Sequence, residues 1–356
     1  MSVESFENLP VGEGKKLEAT KETLPVVEVA NEVVYVNPAF EKSIPFNLKV
    51  GEATNLGIFL TPSEQDTERR VEVNKLHQRA GVVGRVVFQD KERRLYRDVD
   101  LKGIGYLGMV EGEPGEESQK LTVKPVKPQG TQGEGVWGLL GLHSAMRAKD
   151  MEEQLLELGV HTTRTVSIIE LKEIVDENGN KISIEEAKEK KIVPENYTPA
   201  LQMRAFGTRA RFEDVEKKVH NAEVLLEDGK KLVAQEMGKE KISNGRYLDW
   251  LVDVLAKNLA IMHKNGYAHG NLHGQNITLD GRITDLESVK SPETPKKKAE
   301  AIKEDLEDMK ASLVAFAVAL GTKIPYLRTI NPLRISELKF PIAYRRELNR
   351  MVDIEK

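Results

Sequence analysis

The chain contains no cysteine, which excludes disulfides, thiolate metal sites, cysteine nucleophiles and thiol redox chemistry by its own side chains. Any redox function would need a cofactor. A basic excess is missing too: 53 Lys and Arg against 57 Asp and Glu give a formal net charge of −4, so no bulk field favours nucleic acid. The opening stretch, MSVESFENLPVGEGKK, has no basic start followed by an apolar run, and no later stretch reaches bilayer-spanning length. These absences set the expectation of a cytoplasmic protein with neither a membrane nor a nucleic-acid partner. Internal repeats are lacking as well.

What remains is a globular composition, 39% hydrophobic and 31% charged. At 356 residues the chain suits two lobes, each able to bury its own core. The first fifty residues, with short apolar bursts such as Val33–Val36, read as an extended wrap. Beyond Val71, GRVVFQD and LYRDVDLKGIGYLG read as antiparallel strands separated by a charged turn at Lys91–Arg94. Residues 111–135, rich in Gly and Pro without periodicity, read as a flexible excursion, with order resuming near Trp137. Leu139–Leu158 reads as a helix stopped by Gly159. The strand TTRTVSIIELKEIV then runs into DENGNK, whose Asn178–Gly179 pair marks a hairpin turn.

The second half has helical periodicity. Leu248, Leu251, Val252, Leu255, Leu259 and Met262 follow the spacing of one buried helix face. A second helix is expected from Ile302 to Leu320, closed by Gly321, with Lys296–Lys298 as a solvated loop before it. A β-rich half followed by a helical half implies an α+β arrangement with a cleft between lobes.

Between these helices lies YAHGNLHGQNITLDGRITDLESV, Tyr267–Val289. HGNLHGQN has the spacing of a kinase-type catalytic loop, in which a histidine opens the turn and an asparagine seven residues later reaches metal. His269 and Asn276 fill those places. Nine residues on, Asp285 follows a short hairpin pattern that would deliver a carboxylate beside Asn276. Magnesium takes hard oxygen ligands and commonly only one or two from protein, so Asn276 and Asp285 are the expected metal ligands.

HGNLHGQNITLDGRITD resembles the catalytic loop and metal aspartate of the selenoprotein-O family of protein adenylyltransferases, including the nine-residue gap. The similarity runs from about residue 70 to 290, with NPAF at Asn37 added. It implies a bilobal protein-kinase-like fold: an N-terminal extension over residues 1–65, a β-rich N-lobe over 66–205 with an inserted loop at 110–136, and a helical C-lobe over 206–356. It also implies an ATP site with Mg²⁺ or Mn²⁺. LKGIG resembles the strand carrying the nucleotide lysine, making Lys102 a phosphate ligand, and the Leu158–Ile169 segment places Glu153 where it would pair with that lysine. MRAFGTRARFED resembles the stretch bearing two family arginines, here Arg204 and Arg211, whose guanidinium forks suit the terminal phosphates of a flipped nucleotide. RAGVVGRVV is similar to a glycine-bearing loop over the phosphates, with Gly81 and Gly84 allowing close approach.

The pattern is broken at the proton-transfer positions. Asn271 stands where ordinary kinases carry the catalytic aspartate, and Gln275 where the selenoprotein-O family carries its presumed base. An amide keeps the shape but cannot act as a general base. His273 is the nearby imidazole that either substitutes as base or is structural, and Glu287 either adds a carboxylate near the metal or faces solvent. The function that the resemblance implies is ATP- and Mg-dependent transfer of AMP to protein hydroxyl groups. The alternatives are a kinase-like phosphotransferase, which HGNLHGQN also suits, and a pseudokinase that binds ATP and acts through a protein partner.

Overall fold

The computed structural model describes residues 21–354 except 41–43, 45, 63–66, 75–76, 91–93, 106, 110–118, 122–124, 127–134, 137, 177 and 218–221. The described residues divide into two compact units, one gathering residues 21–147 with Thr165–Ala205, the other Ala148–Arg164 with the chain from Phe206 onward.

The first unit is built on strands β1 (Lys21–Glu28), β2 (Asn31–Val36), β3 (Ile58–Leu60), β4 (Arg70–Asn74), β5 (His77–Gln89) and β6 (Leu95–Lys102). Two short ladders follow, β7 (Leu107–Met109) with β8 (Gln119–Leu121) and β9 (Pro125–Val126) with β10 (Gly135–Val136). β8, β9 and Gly135 of β10 fall in the stretch expected as a flexible excursion, whose remaining residues, like Trp137 and the turn at 91–93, lie outside the described ones. After β11 (Leu140–Gly141) come α1 (Leu142–Glu157), β12 (Arg164–Leu171), the hairpin β13 (Glu173–Val175) and β14 (Lys181–Ser183), α2 (Ile184–Glu189) and β15 (Pro199–Phe206). The main sheet runs β2-β12-β15-β6-β5-β4-β1-β3, with β11 also on β15. Each strand pairing described in this sheet is antiparallel.

Residues 21–60, read as an extension, thus supply three strands of the framework. Their short runs of valine and other β-formers suit a pleated surface. β6 and β15 bury all their residues, as expected of central strands. Phe40, from NPAF, meets Tyr96 and Phe88 edge-on, with ring centroids 5.2 and 5.5 Å apart, and Asn37 Nδ2 donates to the Thr165 carbonyl at 2.9 Å. The expected glycine-bearing loop at 79–87 is instead part of β5. Gly81 has a packing reason: a Cβ there would lie 2.6 Å from Val71 Cγ2.

The second unit is helical. α1 ends at Glu157 and is followed by Gly159, whose φ of +91° gives the left-handed stop its sequence position suggests. Then come α3 (Phe212–Glu216), α4 (Ala222–Glu236), α5 (Asn244–Lys264), α6 (Pro295–Lys323) and α7 (Phe340–Ile354). α5 buries Leu251, Val252, Leu255, Leu259 and Met262, with Leu248 partly buried. α6 differs from its expected bounds at both ends. Thr294 caps it by accepting from Lys297 N and Pro295 occupies the first turn, so Lys296–Lys298 are helical, and the helix passes through Gly321 to Lys323. Among the described residues, no helix is long and apolar enough to cross a membrane.

Candidate functional site

The site is carried by the segment between α5 and α6. The C-cap of α5 is Asn265, and Gly266, with φ +85°, turns the chain into the loop. His269 is fully buried; its Nε2 lies 2.9 Å from the Thr284 carbonyl, to which it donates. The backbone N–H groups of His269 and Gly270 donate to Asp305 Oδ2 and Oδ1 at 2.7 and 2.8 Å. His263 Nε2 lies 3.1 Å from Asp305 Oδ2, and its Nδ1 lies 2.8 Å from the Tyr344 hydroxyl. Burial raises the Asp305 carboxyl, but the bonds from His263, Gly270 and His269 together hold it below the usual aspartate range. Burial, and then Asp305 itself, push the Tyr344 phenol up to about 12. Further along, Leu272 N donates to Asp308 Oδ2 at 3.3 Å and Ser312 Oγ donates to the Leu272 carbonyl at 3.2 Å. One face of α6 therefore holds the loop backbone.

A single tight turn, Gly274–Asn276, leads into the hairpin. Ile277 bridges Ile283, Thr278 N donates to the Arg282 carbonyl at 3.0 Å, and Thr284 N donates to the Asn276 carbonyl at 3.0 Å. This last bond sets Asp285 one residue beyond the partner of Asn276. Asn276 is buried; its Nδ2 donates to the Asn271 carbonyl at 2.8 Å, while its Oδ1 is shut from solvent and meets no donor. Asp285 adopts the left-handed conformation, φ 58° and ψ 48°, which is uncommon for a non-glycine residue, with aspartate among those that enter it most readily. Its carboxylate is about one-quarter exposed, with Arg211 Nη1 at 3.9 Å from Oδ2. Arg211 also donates from Nη1 to the Gln275 carbonyl, so it braces the loop and faces the aspartate.

An orphaned, oriented amide oxygen and a partly exposed carboxylate are hard oxygen donors of the kind a divalent ion takes. The residues present fit such an ion. His273 is exposed, whereas Asn271, Gln275 and Glu287 are half-buried. The loop thus carries amides rather than carboxylates at positions 271 and 275.

A second acidic group lies behind the hairpin. One ligand-type atom from each of His161, Glu236 and Asp280 falls within 4.8 Å of the others. The Arg282 guanidinium already pairs there with Asp280, and with Glu236 at 3.2 Å, so the group reads as an ion-pair network that runs from buried Asp280 and Arg282 out to exposed Glu236.

In the first unit Arg204 is committed to Asp100, with Nε to Oδ1 and Nη2 to Oδ2 both at 3.0 Å and both side chains almost fully buried. Lys102, also buried, ends β6. Glu153 lies in the other unit, where it receives Arg164 Nε at 2.7 Å and Nη2 at 2.6 Å. Sequence reasoning passed over Asp305 and Asp308. Asp305 falls among the apolar positions Ile302, Leu306 and Met309 at helical spacing, and a carboxylate on an apolar stripe was the available signal.

No protein-family model and no curated protein matches the chain. Among solved structures it is similar to ROP2 of Toxoplasma gondii, described as a virulence factor with a protein-kinase fold and no enzymatic activity. That similarity has 11% identity, covers 83% of this chain and 86% of that one, and has a TM-score of 0.32. A Toxoplasma gondii specific rhoptry antigen kinase domain is similar at 12% identity over 80% of this chain and 76% of that one, with a TM-score of 0.27. At these scores the functional reading rests on the loop and its surroundings.

Proposed function

We propose that the chain is a kinase-like nucleotide-binding protein that takes ATP with Mg²⁺ or Mn²⁺ and transfers AMP to hydroxyl groups of a protein substrate. The observation that carries the metal part is the buried Asn276 Oδ1, which has no donor although its own amide is fixed by the Asn271 carbonyl. Asn276 and Asp285 would hold the ion, whose charge would offset that of the phosphates. Arg211 lies 3.9 Å from Asp285 and suits phosphate oxygens. The choice of AMP as the transferred group is supported by the selenoprotein-O resemblance of HGNLHGQNITLDGRITD.

A second reading, a pseudokinase that binds ATP and works through a protein partner, is favoured by the amides at Asn271 and Gln275. Labelled ATP separates the two. Protein labelling from α-labelled but not γ-labelled ATP, lost in Asp285→Ala, is the expected result. Labelling from γ alone would show phosphotransfer. Neither label, with Mg-ATP still raising the unfolding temperature through ligand linkage, would establish the pseudokinase reading.

A further inference from the structure

The second unit leaves one apolar ridge in solvent. From residue 332 to Ile354 the chain winds as one continuous helix, in which a π turn at Arg334–Lys339 precedes α7. Its inner side buries Ile335, Phe340, Ala343 and Tyr344, while Leu333, Leu338 and Ile342 are 64%, 52% and 56% exposed. The π turn brings these three to one side. Leu333 and Ile342 are nine residues apart, about two and a half turns of an α-helix, which would set them on opposite faces. The wider i→i+5 winding takes up the difference and turns Leu333 outward. That winding persists although the buried Ser336 hydroxyl in it has no hydrogen-bond partner, which costs stability; π turns recur at functional sites.

Charge on this helix is divided into paired and unpaired groups. Lys339 pairs with Asp249, Arg346 with Asp253 at 3.0 Å, and Arg350 with Glu347 at 3.8 Å. Glu337, the one carboxylate within the ridge, meets Lys310 of α6 at 2.9 Å. Arg334 and Arg345 are exposed, and among the described residues neither guanidinium has an ion-pair partner. One follows Leu333 directly and the other comes three residues after Ile342. The apolar ridge thus ends in an unpaired arginine on each side, and arginine around an apolar core is the composition of protein interfaces.

We infer that Leu333, Leu338 and Ile342, bracketed by Arg334 and Arg345, are the docking face for an amphipathic helix of a protein partner, with apolar residues at i, i+4 and i+7 and a carboxylate at each end of that stripe. The charges select this occupant. A second copy laid antiparallel on Leu338 would set Arg345 of each chain within one turn of Arg334 of the other, with no free carboxylate to meet either. An anionic lipid surface would press uniform negative charge on Glu337 in the middle of the ridge, whereas a helix with acids only at its ends leaves Glu337 opposite apolar side chains. The face is independent of whether the chain transfers AMP.

The test selects short helical peptides from a displayed library on the full chain and measures the enriched ones by fluorescence anisotropy. They are expected to share the i, i+4, i+7 apolar stripe with Asp or Glu at both ends. Leu338→Glu and Arg345→Glu, both at exposed positions, should each weaken their binding about tenfold or more at an unchanged urea midpoint. The double variant Arg334→Glu/Arg345→Glu should prefer the same peptides with Lys in place of the acids. Enrichment of no peptide, of peptides without terminal acids, or of peptides that bind Leu338→Glu as tightly as wild type would overturn this docking face. So would flotation of the wild type with phosphatidylserine vesicles that Leu338→Glu abolishes, which would assign the ridge to lipid. A dimer in sedimentation that the same substitution splits would overturn it in favour of a second copy.

Discussion

Asp305 Oδ1 accepts the backbone N–H of Gly270 at 2.8 Å across 35 residues of chain. With its other oxygen taking the His269 N–H, the start of the loop hangs from one buried carboxylate on α6. Asp305→Ala would leave two buried donors without an acceptor and is expected to destabilise the protein by about 3 kcal/mol. Urea unfolding measures this, and a loss below about 1 kcal/mol would mean that the loop holds itself.

The same carboxylate gives a pH signature. A group depressed in the folded state contributes stability above its unfolded value and loses it as pH falls through the folded one. The stability difference between wild type and Asp305→Asn should therefore shrink as pH drops below about 4. Glu216, raised in the folded state by burial and then by Glu213, has the opposite sign: wild type should lose stability relative to Glu216→Gln as pH rises through the raised value. Urea midpoints collected across pH check both directions.

Arg204 and Asp100 form a buried bidentate pair in the first unit. Removing one partner strands the other charge, so Arg204→Met is expected to cost about 3–5 kcal/mol, with Arg204→Lys less affected. Weaker ATP binding at unchanged stability would instead assign Arg204 to phosphate recognition.

Asp285 sits in the left-handed region, which glycine enters freely. Asp285→Gly should leave the ligand-free protein as stable as wild type or more stable by up to about 1 kcal/mol, while abolishing the metal-dependent thermal shift by ATP. Loss of stability with the shift retained would refute a metal role for this carboxylate.

The hairpin joining Asn276 to Asp285 was readable because its signals are local: alternating apolar residues around Asp280–Gly281 fix a turn, and the turn fixes which residue follows Thr284. α5 was readable from its apolar stripe. α4 escaped notice because its Asp228–Gly229 pair is locally a turn signal; in the fold, Gly229 lies in the helix against Leu279, where a Cβ would come within 2.9 Å. The extent of α6 was misjudged because the Thr294–Pro295 start signal was overlooked. The least legible features were long-range ones. Nothing adjacent to Arg204 announces Asp100, and the carboxylate of Glu216 meets Gly274 only once α3 has packed on the loop.

The pairing of β2 with β12 has a consequence for synthesis. Asn37 and Thr165 are 128 residues apart, so at ordinary elongation rates the early strand waits on the order of ten seconds before its partner is made. For that interval a ribosome-bound chain presents Asn31–Val36 without the neighbour that covers it in the finished sheet, so nascent-chain crosslinking to chaperones should concentrate there and cease once Leu171 has emerged.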